Sequence, residues 1–492
     1  MPQNIRRVLV FGADGLRPDQ IDAAVMPNLR ALADGGVRFA DHHAAYPSHT
    51  RVNGSTFSTG RSPGQHGIVA NTMLVPNARP DHIIDTGSYE HLDALGASDP
   101  RGTQLVESLS DILVRHGARV AVAGTGSSGS NVLWTFGDRG RMVNPNSAFG
   151  IADLYDLRDK LGELPEKTIP AVASNAYATS AVTDIFLGDE SARVITLWLA
   201  EPDSSLHHSG IGSPETTASL ASVDACLGRV LEAMEQRGIR DQFDILFLSD
   251  HGHSTVRAHR TLREYLIDAR KDLGSGLPEL ATASDYIYAR PGDANPDTTA
   301  LAPLVEWLHA QPWVDVVLGG SVDATKLPGV IPMADLWNGH VNSRQPLLGV
   351  SPVWTTETNE FGAPGTVASL TTQSALKSSH GSLSPYDMHA TFVANGPSFR
   401  EGVTSTVPTG AVDIMPTVLS LLGIDVPEGL DGRVLGEGLR DGREPDSVTT
   451  EDVHASTPGG AERAVVLHRV DHASYVHGTH TGGKFVPAIP AG

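Results

Sequence analysis

Three apolar segments of the sequence each end at an aspartate, and a histidine follows two of these aspartates closely. The segments are "VLVFGADG" with Asp14, "LWLAEPDSSLHHSG" with Asp203 and "DILFLSDHGHS" with Asp250. His207 comes four residues after Asp203, so both side chains share one face if a helical turn follows. His251 comes directly after Asp250. Mixed carboxylate and imidazole ligands suit Zn²⁺, with Mn²⁺ or Fe²⁺ as alternatives, so the pattern indicates metal chemistry.

A further candidate ligand is His380, in the glycine- and serine-rich segment "KSSHGSLSPYDMHATF", which leads into a strand-like segment. The chain has 21 histidines, and an individual histidine is more often an ordinary core or surface residue than a ligand. We interpret in that ordinary way His42, His43, His49, His116, His309 and the histidines near the C-terminus.

The candidate ligands need a scaffold that brings several strand ends together. The segments "RRVLVFGADG", "GARVAVAGTG", "ARVITLWLAEPD" and "QFDILFLSDHG" are typical of buried strands, and the helical pattern "SPETTASLASVDACLGRVLEAMEQRG" separates the last two. Such alternation predicts an α/β fold, with a mostly parallel sheet between two layers of helices. In these folds the chemistry lies at the carboxyl ends of the strands, where the three aspartates would converge.

The pattern changes along the chain in a way that predicts three parts. Residues 1–271 and 351–440 are predicted to form the catalytic core. Residues 272–350, which include a proline- and glycine-rich stretch, are predicted to form a small inserted α+β cap lobe. Residues 441–492 are predicted to be a C-terminal extension with short strands at "RAVVLHRV" and "ASYVHG".

Composition narrows the classes of partner. Asp plus Glu number 57 against 36 Lys plus Arg, a formal charge of −21 that disfavours binding to a nucleic-acid polymer. No run of 18 apolar residues occurs, so we expect no helix across a membrane. The single cysteine, Cys226, excludes a disulfide within the chain, and the short N-terminal apolar run is unlike a signal peptide. We therefore expect a cytoplasmic protein, with homo-oligomer formation left open.

The order of these motifs resembles the type I phosphodiesterase/nucleotide pyrophosphatase family of the alkaline phosphatase superfamily. The resemblance covers most of residues 5–435. It rests on the segments "VLVFGADGLRPD", "YPSHTRVN", "TGRSPGQHGIVAN", "EPDSSLHHSG", "LSDHGHS", "SSHG", "NGPSF" and "VDIMPTVLSLLGI".

The resemblance implies an alkaline-phosphatase-like fold and a site for two divalent metal ions, which we expect to be Zn²⁺, with Mn²⁺ as an alternative. It implies that one ion binds Asp203, His207 and His380, and that the other binds Asp14, Thr50, Asp250 and His251. It further implies that Thr50 is the nucleophile and that Asn71 donates a hydrogen bond to a non-bridging oxygen of the substrate.

The implied role of Thr50 is chemically reasonable. A threonine hydroxyl is too weakly acidic to attack phosphorus near neutral pH, and a bound cation lowers its pKa. If Thr50 begins a helix, backbone N–H groups also face the anion, and Asn71 completes the oxyanion site. We therefore predict hydrolysis of small phosphodiesters or phosphoanhydrides through a covalent phospho-threonine.

Arg51 departs from the family pattern, because many nucleotide pyrophosphatases have an aromatic residue directly after the nucleophile. Arg51 either contacts a second anionic group of the substrate or lies on the helix surface. Three alternative functions retain the same metal site. They are hydrolysis of a carbon–phosphorus bond, hydrolysis of phosphomonoesters, and metal binding without catalysis.

Overall fold

The computed structural model describes residues 6–135, 142–145, 149–150, 159–369, 376–457 and 459–480. Its centre is a nine-stranded sheet in which most neighbouring strands are parallel. The strand Phe392–Asn395 is antiparallel to both of its neighbours. Across the sheet the order is Val403–Ser405, Val37–Phe39, Phe392–Asn395, Phe243–Leu248, Arg7–Ala13, Ala192–Leu199, Arg119–Gly124, Met142–Asn144 and Phe149–Gly150. The predicted mostly parallel sheet is confirmed.

The central strands are buried on both faces, which explains why they read as nearly continuous apolar runs. All seven residues of Arg7–Ala13 are buried. Val8 and Val10 pack into one core and Leu9 and Phe11 into the other, because successive side chains point to opposite faces.

Helices cover both faces of this sheet. The helix Pro214–Gln236 packs Val223 and Leu227 into the core on the Leu9 side, and its Ser213 cap accepts a hydrogen bond from the N–H of Thr216. The α-helices of the described residues are Pro27–Asp34, Thr50–Thr59, Pro63–His66, Tyr89–Ser98, Leu109–Arg115, Ser128–Val132, Val172–Ser180, Asp203–Ser209, Pro214–Gln236, Leu262–Leu273, Ala302–His309, Met333–Leu336, Pro385–Met388 and Ile414–Leu421.

A second sheet of five strands has its own apolar core. Its order is Leu280–Ala283, Tyr286–Ala289, Leu348–Pro352, Val314–Gly319 and Val330–Pro332. The helices Leu262–Leu273 and Ala302–His309 pack against it. The limits 272 and 350 of the lobe stay a prediction, and the helix Leu262–Leu273 contributes Leu262 and Tyr265 to the core of this sheet.

Smaller sheets complete the described part of the chain. Residues Val448–Ser456, Glu462–Val470 and Ala473–Thr479 form an antiparallel C-terminal sheet, and its Val465, Leu467 and Val476 join the main core. Three further sheets consist of Trp354–Thr358, Pro364–Ser369, Ser254–His259 and Ser378–Ser379; of His389–Ala390, His42–His43 and Thr409–Gly410; and of Thr72–Leu74 and Ile83–Asp85.

Across the ranges that the structure describes, no helix is both long enough and apolar enough to cross a membrane.

Candidate metal centre and active site

Asp14, Asp203 and Asp250 meet at one edge of the central sheet. Asp14 and Asp250 follow the adjacent parallel strands Arg7–Ala13 and Phe243–Leu248, so both leave the sheet on the same side. The N–H of Asp203 donates to the carbonyl oxygen of Asp14 at 2.9 Å, and the N–H of Gly15 donates to Asp250 Oδ1 at 3.1 Å. Hydrogen bonds from backbone N–H groups therefore help to hold the three aspartates together.

The first group of candidate ligands gathers around Asp203 Oδ1. The Nε2 atoms of His253, His207 and His380 lie 2.8, 3.3 and 3.6 Å from this oxygen. The four residues each offer one ligand atom, and these atoms all lie within 4.8 Å of one another. The strand Ser378–Ser379 pairs with Ser254–His259, which places His253 and His380 beside each other at the strand ends.

The hydrogen bonds of this group indicate which ring nitrogens can bind a cation. His207 Nδ1 donates to the carbonyl oxygen of Ser378, and His380 Nδ1 donates to that of Ser48, each at 2.7 Å. A carbonyl oxygen only accepts, so in the neutral imidazole the Nε2 atom has a lone pair rather than a hydrogen. Both lone pairs face the Asp203 carboxylate, an arrangement that a metal ion between them satisfies.

The second group consists of Asp14, Asp250 and His251, all buried. His251 Nδ1 donates to the carbonyl oxygen of Gly252 at 3.0 Å, which leaves its Nε2 lone pair toward Asp250 Oδ2 at 3.3 Å and Asp14 Oδ1 at 3.6 Å. These two oxygens are buried and accept no hydrogen bond from the described residues. Buried acceptors of this kind are costly without a partner, so the residues fit a divalent cation.

The electrostatics of the second group lead to the same conclusion. Burial raises the pKa of Asp14 well above its usual range, and Asp250 and Asp203 raise it further. Burial also raises the pKa of Asp250 and lowers that of His251 to about 4. Burial thus disfavours the charged forms of Asp14 and Asp250, and a bound cation would stabilise them.

Thr50 lies next to the second group. It is the first residue of the helix Thr50–Thr59, and its Oγ1 is 3.2 Å from His251 Nε2. The N–H of Arg51, in the first turn of the helix, donates to Asn71 Oδ1 at 3.2 Å. The Arg51 N–H, one of the groups expected to face the substrate anion, is therefore already hydrogen-bonded. The Nδ2 group of Asn71 is left to donate to a substrate.

A cavity of about 510 Å³ opens beside Thr50, Asp203 and His207. Its lining also includes Arg51, Lys167, Ser127, Ser130, Ile169 and Leu376. Arg51 is one of the residues of the cavity wall, and its Nε is buried without a hydrogen-bond partner among the described residues. No described residue of the segment 272–350 lines the cavity, and this segment approaches the centre through Asp285, 3.5 Å from His49 Nε2.

The structure adds two residues that the sequence interpretation did not select. His253, the second histidine of "DHGHS", lies closest to Asp203 Oδ1, and its i, i+2 spacing from His251 is the signal that could have identified it. Lys167 lines the cavity from a segment without any recognised motif. His49, interpreted as an ordinary residue, accepts at Nδ1 a hydrogen bond from the N–H of Asn71 at 3.3 Å.

Comparison with known families identifies the chain's relatives. The profile of the family described as type I phosphodiesterase / nucleotide pyrophosphatase matches residues 8–307, which confirms the resemblance seen in the motifs. The chain is 24% identical to a venom phosphodiesterase of Macrovipera lebetinus over 53% of its own length and 27% of that protein. It is 25% identical to ectonucleotide pyrophosphatase/phosphodiesterase family member 3 of Mus musculus, over 53% of its own length and 26% of that protein. The chain thus spans only about a quarter of the length of these relatives.

Solved structures show the same fold. Murine ectonucleotide pyrophosphatase/phosphodiesterase 5 superimposes with a TM-score of 0.60 at 19% identity, over 88% of this chain and 100% of that one. An inactive threonine-to-alanine variant of the same murine protein, in complex with AMP, has a TM-score of 0.58 at 19% identity. The match covers 86% of this chain and 96% of that one. The predicted alkaline-phosphatase-like α/β fold is confirmed. The cytoplasmic location stays a prediction, which relatives named as venom proteins and ectoenzymes do not support.

Proposed function

Because this chain belongs to the type I phosphodiesterase/nucleotide pyrophosphatase family, we propose that it hydrolyses phosphodiester or phosphoanhydride bonds in small, nucleotide-like substrates. One observation carries the proposal. The Thr50 hydroxyl, at a helix start, lies 3.2 Å from His251 Nε2 and faces a cavity whose wall includes Asp203 and His207. A nucleophile, two carboxylate–imidazole groups and a space for substrate therefore meet at one place.

The two groups of side chains would hold two divalent cations, with Zn²⁺ expected and Mn²⁺ as the alternative. Asp203, His207, His380 and the newly identified His253 form the first set, and Asp14, Asp250, His251 and Thr50 form the second. Bound cations would lower the pKa of the Thr50 hydroxyl and neutralise charge on the leaving oxygen.

The protein's own groups then have the following roles. Thr50 Oγ1 loses its proton to solvent and attacks phosphorus, the bond from phosphorus to the leaving oxygen breaks, the leaving oxygen takes up a proton, and a phospho-threonine forms. Water cleaves this ester in a second step and regenerates the hydroxyl. Asn71, anchored through Oδ1 by the Arg51 N–H, donates from Nδ2 to a non-bridging oxygen. A neutral donor of this kind suits the singly charged phosphoryl group of a diester.

Two basic side chains in the cavity wall indicate the class of substrate. Arg51 and Lys167 both line the cavity and supply positive charge for a second anionic group, as in a pyrophosphate or a nucleotide. Ile169 and Leu376 add apolar surface against which a nucleobase or another apolar part of the substrate can pack. The lining therefore combines the features that a nucleotide-like substrate needs.

Lys167 also favours a second candidate function. Hydrolysis of a carbon–phosphorus bond in a small carboxylated phosphonate needs a cationic pocket for the substrate carboxylate. Lys167 and Arg51 supply that charge in the same cavity. This reaction would use the same Thr50 and the same candidate ligands.

The test compares bis-p-nitrophenyl phosphate, p-nitrophenyl phosphate and phosphonoacetate on protein loaded with Zn²⁺ or with Mn²⁺. We expect the diester to be cleaved fastest. Faster phosphate release from phosphonoacetate would favour the second candidate, and faster cleavage of the monoester would identify a phosphatase. Absence of turnover on all three substrates with both metals would overturn the catalytic proposal.

A further inference from the structure

A second cluster of histidines lies apart from the candidate active site, where the C-terminal sheet meets the core. It consists of Asp41, His43, His389, His468 and His477, and we refer to it as the junction cluster. We propose that the junction cluster binds a structural divalent metal ion, preferably Zn²⁺, that fastens the C-terminal sheet to the catalytic core.

Distances around His477 are the first support. The Nε2 atoms of His43, His389 and His468 lie 3.3, 3.1 and 3.1 Å from the single atom His477 Nδ1. A ring nitrogen carries either one hydrogen or one lone pair, so it takes part in one good hydrogen bond and not three. Ligand nitrogens around tetrahedral Zn²⁺, with bonds of about 2.0–2.1 Å, are separated by about 3.3–3.4 Å. The observed distances of 3.1–3.3 Å are close to this spacing, as expected for nitrogens that share one metal ion.

The protonation of His43 is the second support. His43 Nδ1 donates to the carbonyl oxygen of Thr409 at 3.1 Å, so in the neutral ring Nε2 has a lone pair. This lone pair faces Asp41 Oδ1 at 3.3 Å, and that oxygen is buried without a hydrogen bond from the described residues. The His43 Nε2 lone pair and the Asp41 oxygen therefore repel each other, and a cation between them would remove this repulsion.

The same combination occurs in the candidate active site. There His207 and His380 also donate from Nδ1 to backbone carbonyl oxygens and direct Nε2 toward a carboxylate. A metal ligand's second ring nitrogen is commonly fixed in this way. The junction cluster therefore has both the inner ligands and the outer hydrogen bonds of a metal site.

Burial and position indicate a structural role. His43, His389 and His477 are buried, and the donor side chains outnumber the four positions of a tetrahedral ion, so no position is left for a substrate. Structural zinc sites are closed in this way, whereas catalytic sites keep an open position. His43 and His389 lie on paired strands of the core, and His468 and His477 lie on the last two strands of the C-terminal sheet. A shared ion would join segments more than 400 residues apart in the chain.

The first experiment measures the Zn²⁺ content of the full chain by mass spectrometry after metal removal and reconstitution with Zn²⁺. We expect His477→Ala to hold one ion fewer than the wild type. The matched control is His454→Ala, because His454 is exposed on the C-terminal strand Val448–Ser456 and should leave the count unchanged. The difference between variants does not depend on how many ions the active site holds. Equal Zn²⁺ content in all three proteins would overturn the proposal.

The second experiment keeps the junction cluster intact, so a folding defect of His477→Ala cannot obscure the result. In the double variant Asp203→Asn with Asp250→Asn the active-site groups are disabled. Zn²⁺ should still bind at one ion per chain and raise the midpoint of thermal unfolding by on the order of 5 °C. Added His477→Asn should abolish that shift, because His477 Nδ1 is the atom that lies 3.1–3.3 Å from the other three imidazoles. If Zn²⁺ neither binds to the double variant nor shifts its midpoint, the histidines are held by hydrogen bonds alone and the proposal fails.

Discussion

The candidate active site and the junction cluster combine the same residue types in different proportions. The active site has three carboxylates and borders a cavity, and the Asp203 and His207 side chains are 18% and 23% exposed. The junction cluster has four imidazoles to one carboxylate, and its His43 side chain is fully buried. An open, acidic ligand set leaves room and charge for a phosphoryl group, whereas a closed, imidazole-rich set favours a permanent ion. The cavity beside the active site and the share of carboxylates distinguish the two, and the histidine count does not.

The largest expected effect is the response to a chelator, which should separate the two sites by accessibility. Brief treatment with dipicolinate should abolish activity, because the nucleophile and the leaving group both depend on the active-site ions. The ion of the junction cluster should remain. Activity and Zn²⁺ content measured over the same time course check this, with Zn²⁺ added back as the control. Loss of all ions in a single phase would contradict the contrast between an open and a closed site.

Replacement of Thr50, the proposed nucleophile, should have the next largest effect. Thr50→Ala should reduce kcat on bis-p-nitrophenyl phosphate by several orders of magnitude, on the order of 10³-fold or more, while the ligand residues remain in place. Thr50→Ser should keep part of the rate, because the hydroxyl is retained but the rotamer restraint is weaker. Thermal unfolding serves as the control for the fold. A Thr50→Ala rate above about a tenth of the wild-type rate would exclude covalent catalysis by Thr50.

His66, a buried histidine outside both clusters, should make the free energy of unfolding depend on pH without any bound metal ion. Burial, and after it Arg344, lower the pKa of His66 to about 3, and its Nδ1 accepts a hydrogen bond from the N–H of Ile68. Between the unfolded pKa of about 6.5 and about pH 3, the unfolded chain binds more protons than the folded chain. The free energy of unfolding should therefore fall, by as much as several kcal/mol, as the pH falls through this range.

Acid titrations of metal-free wild type and His66→Asn measure that contribution. Removal of the histidine should make the free energy of unfolding less dependent on pH, and His454→Ala is the control with an exposed histidine. An identical pH dependence in wild type and His66→Asn would show that His66 is not held neutral by the fold.

Arg51 should affect specificity within the open site. Arg51→Ala should raise KM for substrates with a second anionic group and spare bis-p-nitrophenyl phosphate, because Arg51 lines the cavity. The lost contact is worth about 1.5–3 kcal/mol, or roughly 10- to 150-fold. Lys167→Ala is the matched cation variant in the same wall. An unchanged KM on both substrate classes would exclude a contact between Arg51 and the substrate.

The smallest expected effect belongs to His253. His253→Ala should weaken metal binding at the Asp203 group by about 10- to 100-fold, whether the imidazole binds the ion or orients Asp203. Competition with a fluorescent chelator measures the affinity, and kcat at saturating metal should change less than the affinity. An unchanged affinity would show that His253 contributes only to packing.

Much of the active site could be predicted from sequence because its signals are local. Asp14 and Asp250 end apolar strands, and parallel strands leave a sheet at the same edge, so their convergence follows from pattern alone. Asp203 and His207 share one helical turn. The family motifs extended the prediction to Thr50, Asn71 and His380, and the structure brings these residues to the same edge.

The junction cluster shows what only the tertiary structure decided. His43 and His477 have no local pattern that distinguishes them from ordinary core histidines, and they lie more than 400 residues apart. They meet because of strand pairing and because the C-terminal sheet packs into the main core. In a β-strand, a shift of one residue in register turns a side chain to the opposite face. Sequence alone therefore determined which residues end the core strands, and the packing of distant strands decided which histidines share a site.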